Sequence, residues 1–271
     1  MILTHDLTNA ALLTVEEFHS ALAQFKPQLL IISGFHMLEA SDDDTREKRT
    51  EEIISQISLF ERRVPVHLEL ASMGDSSFIE MIAHKAVPFF DSLGLNEDEL
   101  GHLYVALGGE RLSLQNFHSP NVSTVEEAIH FIFEHLPIHN KKRALSRIHF
   151  HCLEFHLIAL SKRVESSFGW KEEKEKLAVV GGSRAVSLRA CDVRELEEGE
   201  VEMRMPNTIF LSGGEKLNFD PSKSFLQWNS LDSSSSLSSP LSFFLSPVLV
   251  CKSPKKTVGK PSFSLSSSTY F

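Results

Sequence analysis

Gln28-Leu29-Leu30-Ile31-Ile32-Ser33-Gly34 decides the fold class, because it places four apolar residues in a row at strand length and closes them with glycine. A run of this kind suits a parallel strand buried on both faces. Just before it, residues 14–24 carry Val15, Phe18 and Leu22 at helical spacing, with Thr14 as N-cap, Glu16 and Glu17 in the first turn, and Pro27 as the stop. Helix then strand is the unit, and it recurs along the chain.

The next helix is expected over residues 42–60, with Ile53, Ile54 and Ile57 on one face, followed by the strand Val64-Pro65-Val66-His67-Leu68-Glu69-Leu70. Residues 76–90 read as a helix with Ile79, Ile82, Ala83 and Val87 inward, and residues 125–136 as another. Arg147-Ile148-His149-Phe150-His151 is a strand expected to enter a helical stretch near Leu153. Alternating helices and strands predict a layered α/β fold with a mostly parallel sheet. From about Glu195 the texture changes to short apolar runs at 205–210 and 223–228. A serine-rich stretch near 231–240 reads as a flexible loop, and Pro247-Val248-Leu249-Val250-Cys251 as a final strand. Residues 260–271 have the composition of a disordered tail.

The 271 residues are 42% hydrophobic and 23% charged, enough for a sizeable core. A net charge of −9 argues against a nucleic-acid surface, since phosphate binding needs clustered cations. The basic runs Lys141-Lys142-Arg143 and Lys255-Lys256 read as solvated turns. Cys152, Cys191 and Cys251 are far apart and odd in number, without C-x-x-C spacing. That excludes a zinc knuckle, argues against a disulfide framework and leaves room for one bridge, so a reducing compartment fits best. Asn121-Val122-Ser123 is a glycosylation sequon, relevant only in the secretory pathway. No window has the roughly 18 apolar residues of a membrane span, and the first residues lack the pattern of a signal peptide. The chain is expected to be soluble.

Glu69 ends a strand that is apolar on both sides, where a carboxylate must pair, hold a metal or reach solvent. The carboxyl ends of strands in open α/β sheets face the ligand crevice. Asn96-Glu97-Asp98-Glu99 starts a helix, with Asn96 as N-cap and Glu99 completing a capping box. The same geometry presents backbone N–H groups to a phosphate and lets Glu99 hold a hydrated Mg²⁺. His149 and His151 share a strand face, without a third ligand for zinc. His36, after Ser33-Gly34-Phe35, suits a pocket wall or packing.

In this order the segments Ile32-Ser33-Gly34-Phe35-His36-Met37, Val66-His67-Leu68-Glu69-Leu70-Ala71-Ser72, Leu95-Asn96-Glu97-Asp98-Glu99, Arg147–His151, Pro247–Lys252 and Thr257-Val258-Gly259 resemble the ADP-dependent glucokinase and phosphofructokinase family, closest to its animal glucokinase branch. The likeness covers about residues 5–259. It implies a ribokinase-like three-layer sandwich, incomplete on its N-terminal side, formed by residues 1–259. It also implies ADP-dependent phosphorylation of glucose to glucose 6-phosphate and AMP, with Mg²⁺ as the metal. By that resemblance Glu69 and Glu99 are the metal carboxylates, and Asn96 steadies the nucleotide phosphates. His151 and Cys152 match a nucleotide-contacting turn, Val250 and Cys251 the stretch against adenine, and Thr257 and Gly259 the start of the phosphate loop. A monomer without nucleic-acid partners is expected. Relatives with an N-terminal leader would belong to the endoplasmic reticulum, whereas this chain without one would belong to the cytoplasm.

The family continues Thr-Val-Gly as Thr-Val-Gly-x-Gly-Asp, whose aspartate is the base for the sugar hydroxyl. Here Lys260-Pro261-Ser262 follows, so Ser262 stands in the register of the aspartate and Pro261 in that of the glycine. Serine is no base at neutral pH, and proline lacks the N–H that an anion hole needs. The expectation is therefore an impaired kinase, with an inactive nucleotide-binding form and an ADP-dependent phosphofructokinase as the alternatives.

Overall fold

In chain order the elements are α1 (Val15–Phe25), β1 (Leu30–Ser33), α2 (Asp43–Leu59), β2 (Val66–Glu69), α3 (Ser76–Lys85), β3 (Ser92–Leu95), α4 (Glu97–Ala106), α5 (Val122–His135), β4 (Arg147–His151), β5 (Phe155–Leu160), α6 (Glu172–Cys191), β6 (Val201–Met203), β7 (Thr208–Phe210), β8 (Lys216–Asn218), β9 (Leu226–Ser230), β10 (Leu241–Pro247) and β11 (Leu249–Cys251). They belong to a computed structural model that describes residues 14–25, 27–59, 64–138, 144–161, 170–197, 199–230 and 240–256. The serine-rich stretch at 231–239, Thr257, Gly259, Ser262 and the tail lie outside the described residues.

Seven strands form one sheet in the order β1-β2-β3-β4-β5-β10-β9. β1 to β4 pair in parallel, and β5, β10 and β9 add antiparallel neighbours. β10 thereby runs with β1–β4, so most of the sheet shares one direction. On one face Leu30, Val66, Leu68, Leu93, Leu95, Ile148 and Phe150 pack with Ile53 and Ile57 of α2, Ile82 of α3, Leu103 of α4 and Ile129 of α5 in one buried cluster. On the other, α6 lies over β5 and β10, where Val179 meets Ile158, Leu160 and Phe244. Helix, sheet, helix is the three-layer arrangement expected.

α6 covers only that end of the sheet. Over β1 the outer face has no such cover among the described residues, and Ile31 is 60% exposed. The expected two-sided burial of the Leu29–Ile32 run is therefore wrong; only Leu30 is fully buried there. True two-sided burial occurs in β5, where all six residues are buried.

Local chemistry sets several boundaries. Asp75 caps α3, its Oδ1 accepting from the N–H of Ser77 and Phe78, and a 3-10 turn, Val87–Phe89, built around Pro88, ends that helix short of the expected Phe90. Asn121 of the sequon caps α5 by accepting from Thr124 N–H at 2.9 Å. The helical stretch expected near Leu153 is instead a tight hairpin between β4 and β5, closed by Cys152 N–H donating to Phe155 O at 3.1 Å. The expected last strand is the short β11, which pairs with β6 in a separate ribbon, while β10, just before it and not expected, joins the main sheet. Cys191 at the end of α6 and Cys251 of β11 form a disulfide, Cα atoms 5.5 Å apart. This is the one bridge that the cysteine count left room for; residues 60 apart in sequence are neighbours here because β11 runs past the end of α6.

Candidate functional site

Three parallel strands end together on the side where a ligand crevice is expected. Glu69 is the last residue of β2, His151 the last of β4, and Asn96 joins β3 to α4. The outward-facing positions of these strands are polar while their inward ones are apolar. His67 and Glu69 of β2 lie opposite Ser92 and Gly94 of β3, which lie opposite Arg147 and His149 of β4. The sequence pattern is therefore His-x-Glu, Ser-x-Gly and Arg-x-His-x-His, each with period two.

Glu69 is held from two sides. His67 Nε2 lies 3.1 Å from its Oε2, and His151 Nε2 lies 3.2 Å from its Oε1. To reach His151 the carboxylate crosses β3 above Gly94. A Cβ at that position would overlap Glu69 Oε2 and sit 2.8 Å from His67 Nε2, so only glycine keeps the lane open. Burial raises the cost of ionising Glu69, but hydrogen bonds and charge from His151 and His67 outweigh it and hold its pKa at about 2. His151 responds in the opposite sense: burial pushes it down, and the hydrogen bond to Glu69 with the charges of Glu69, Glu99 and Glu97 carries it above the ordinary histidine value.

Asn96 and Glu99 form the expected capping box. Asn96 Oδ1 accepts from Glu99 N–H at 3.0 Å, and Glu99 Oε2 accepts from Asn96 N–H at 2.9 Å. Asn96 Nδ2 also donates to Glu99 Oε1 at 3.0 Å. Glu99 is 6% exposed, and burial pushes its pKa up to about 7, against the lowering by Asn96 N–H and the charge of His151; Glu69 adds to the rise. One carboxylate is thus firmly ionised and its neighbour is poised near neutrality, each within the other's field.

Among the described residues no group of three or more His, Cys, Asp or Glu side chains is arranged to hold a metal ion directly. Each oxygen of Glu69 and Glu99 already accepts one hydrogen bond and keeps a second lone pair. That donor set fits an ion kept at one remove by its own water shell, the habit of Mg²⁺.

Cys152 follows His151 in the hairpin turn, its Sγ donating to Phe155 O at 3.4 Å, and burial pushes its thiol up to about 12. It is a neutral wall rather than a nucleophile. Val250 is half-buried in β11, and the Cys251 side chain is used in the bridge to Cys191, so that only its backbone remains for a ligand. His36 lies in the 3-10 turn Phe35–Ala40 after β1. Sequence reasoning missed Ser92, Gly94, Arg147, His156 and Glu175. Half-buried His149 lies beside buried His156, with Nε2 and Nδ1 3.3 Å apart, and burial holds His156 at about 4.

The sequence profile of the family described as ADP-specific Phosphofructokinase/Glucokinase conserved region matches residues 1–261. An ADP-dependent glucokinase from Bos taurus is 34% identical over 95% of this chain and 50% of its own length. A probable ADP-dependent glucokinase from Caenorhabditis elegans is 30% identical over 95% of this chain and 51% of its own. The chain spans about half the length of these curated relatives. Among solved structures, a hypothetical ADP-dependent phosphofructokinase from Pyrococcus horikoshii superposes with a TM-score of 0.61 at 18% identity, covering 94% of this chain and 51% of that one; at this identity the likeness establishes the fold. The chain belongs to the ADP-specific phosphofructokinase/glucokinase family.

Proposed function

We propose that this chain carries the nucleotide–magnesium half of an ADP-dependent sugar kinase whose acceptor is the 6-hydroxyl of glucose. The observation behind this is the gathering of Glu69, Asn96, Glu99 and His151 at the carboxyl ends of β2, β3 and β4. Bound Mg²⁺ would neutralise charge developing on the phosphates during transfer. Glu69, ionised throughout the neutral range, and Glu99 would hold its water shell. The N-terminus of α4 would face a phosphate, and His151 would balance the carboxylates when the site is empty. Glucose, rather than fructose 6-phosphate, is favoured by the 34% identical relative named a glucokinase. Pro261 and Ser262, in the register of the family's Gly-Asp, favour weak or absent turnover in the chain as it stands. The Cys191–Cys251 bridge favours an oxidising compartment for the protein, in place of the cytoplasm.

A coupled assay for glucose 6-phosphate, run with ADP and Mg²⁺ and repeated with fructose 6-phosphate as acceptor, tests this reading. Low turnover on glucose with ADP supports it, and turnover comparable with an ordinary sugar kinase would remove the impairment. Turnover on fructose 6-phosphate alone would replace the acceptor.

A further inference from the structure

We propose that Ser92 is a positioning residue that fixes the tautomer of His67 and, through it, the orientation of Glu69. This role rests on the one proposed for Glu69 at the nucleotide–metal end. A hydrogen-bonded chain runs across the outer face of the sheet. Glu175 of α6 accepts from Arg147 Nε at 2.8 Å, and Arg147 Nη1 donates to Ser92 Oγ at 3.0 Å. Ser92 Oγ lies 2.8 Å from His67 Nδ1, and His67 Nε2 faces Glu69 Oε2 at 3.1 Å. Glu69 then meets His151.

The direction of the donors along this chain is set at one end. A guanidinium can only donate, so Ser92 Oγ accepts from Arg147. Its own hydroxyl hydrogen is then available for His67 Nδ1. With Nδ1 accepting, the proton of the neutral ring sits on Nε2, where it donates to Glu69. Arg147 is firmly anchored, since it and Glu175 are 13% and 6% exposed and its guanidinium lies 5.5 Å from the Trp170 ring centre. Ser92 is itself 1% exposed, so water does not compete for its hydroxyl. Glu69, which can only accept, favours the same Nε2–H form from the other end, and the Ser92 hydroxyl adds the donor at Nδ1 without which the Nδ1–H form becomes accessible.

Two measurements on the full chain test this. Selective ¹⁵N-histidine labelling with long-range ¹H–¹⁵N correlation reads the tautomers of the thirteen histidines in nucleotide-free protein, His67 being assigned with His67→Gln. The expected wild-type pattern for His67 is an unprotonated Nδ1 and a protonated Nε2; Ser92→Ala mixes the two tautomers and Ser92→Thr, which keeps the hydroxyl, restores one. Calorimetric titration with ADP, with and without Mg²⁺, reads the consequence. Ser92→Ala should reduce the magnesium-dependent gain in affinity about tenfold, as removal of outer-shell partners does, with Mg²⁺-free affinity unchanged. An Nδ1–H tautomer in the wild type, which needs no variant to observe, would overturn the proposal. So would a Ser92→Ala protein with wild-type tautomer and wild-type magnesium gain. If the wild type shows no magnesium gain at all, the proposed function fails, while the tautomer pattern still decides the role of Ser92.

Discussion

Glu69 of β2 and His151 of β4 are joined side chain to side chain over the intervening strand, Oε1 to Nε2 at 3.2 Å, because β3 presents no side chain at Gly94. Gly94→Ala would push the carboxylate out of that lane. The expected result is a loss of about 1–3 kcal/mol in unfolding free energy by urea titration, the range for a displaced, partly buried hydrogen-bonding group, together with weaker Mg²⁺–ADP binding. Unchanged stability and binding would show that Glu69 does not depend on the open lane.

Glu99, with its pKa pushed up to about 7, makes two pH predictions of defined sign. As pH falls through 7 the carboxylate gains a proton, so Mg²⁺–ADP affinity should fall and Glu99→Gln should flatten the profile. Stability runs the other way. Between 4.5 and 7 the folded state binds more protons at this group than the unfolded state, so its contribution declines as pH rises, by at most about 3 kcal/mol across the window. Urea midpoints for wild type and Glu99→Gln, measured at several pH values, check it.

Glu69 on β2 and the His149–His151 pair on β4 are legible in the sequence because strand position and alternation mark them, and Asn96 with Glu99 because a capping box is a local signal. Ser-Leu-Gly-Leu of β3 is not, since four residues with a glycine give no period and the value of Ser92 and Gly94 lies wholly in their neighbours. The β4–β5 hairpin escapes a sequence reading because Cys152-Leu153-Glu154 contains neither Gly nor Pro to announce a turn. Apolar content alone suggests two-sided burial of β1, whereas burial depends on which strands α6 covers. The Cys191–Cys251 pairing is a tertiary fact that spacing alone does not reveal.

The disulfide closes a loop between residues 60 apart. Chain entropy for such a loop amounts to about 4 kcal/mol, and the expected loss on reduction is about 2–4 kcal/mol. In urea unfolding, the reduced wild type and Cys191→Ala should give matching midpoints, both lower than that of the oxidised wild type. Coincident curves with and without reductant would mean that the bridge contributes nothing.

Glu126 lies on the opposite face from the site and is buried, accepting from Trp228 Nε1 at 2.9 Å and from Ser212 N–H at 2.6 Å. Glu126→Ala strands two donors and should lower stability by about 2–5 kcal/mol with a shift in tryptophan fluorescence. ADP affinity in the folded protein should stay the same, which separates loss of stability from loss of the site.

The most direct test is calorimetric titration of ADP into the chain with and without Mg²⁺, for the wild type, Glu69→Gln and Glu99→Gln. Magnesium should tighten ADP binding to the wild type, and each substitution should remove most of that gain while leaving magnesium-free binding in place. ADP binding that magnesium does not alter, or a magnesium gain that survives both substitutions, would contradict the assignment of Glu69 and Glu99 to the nucleotide–metal end.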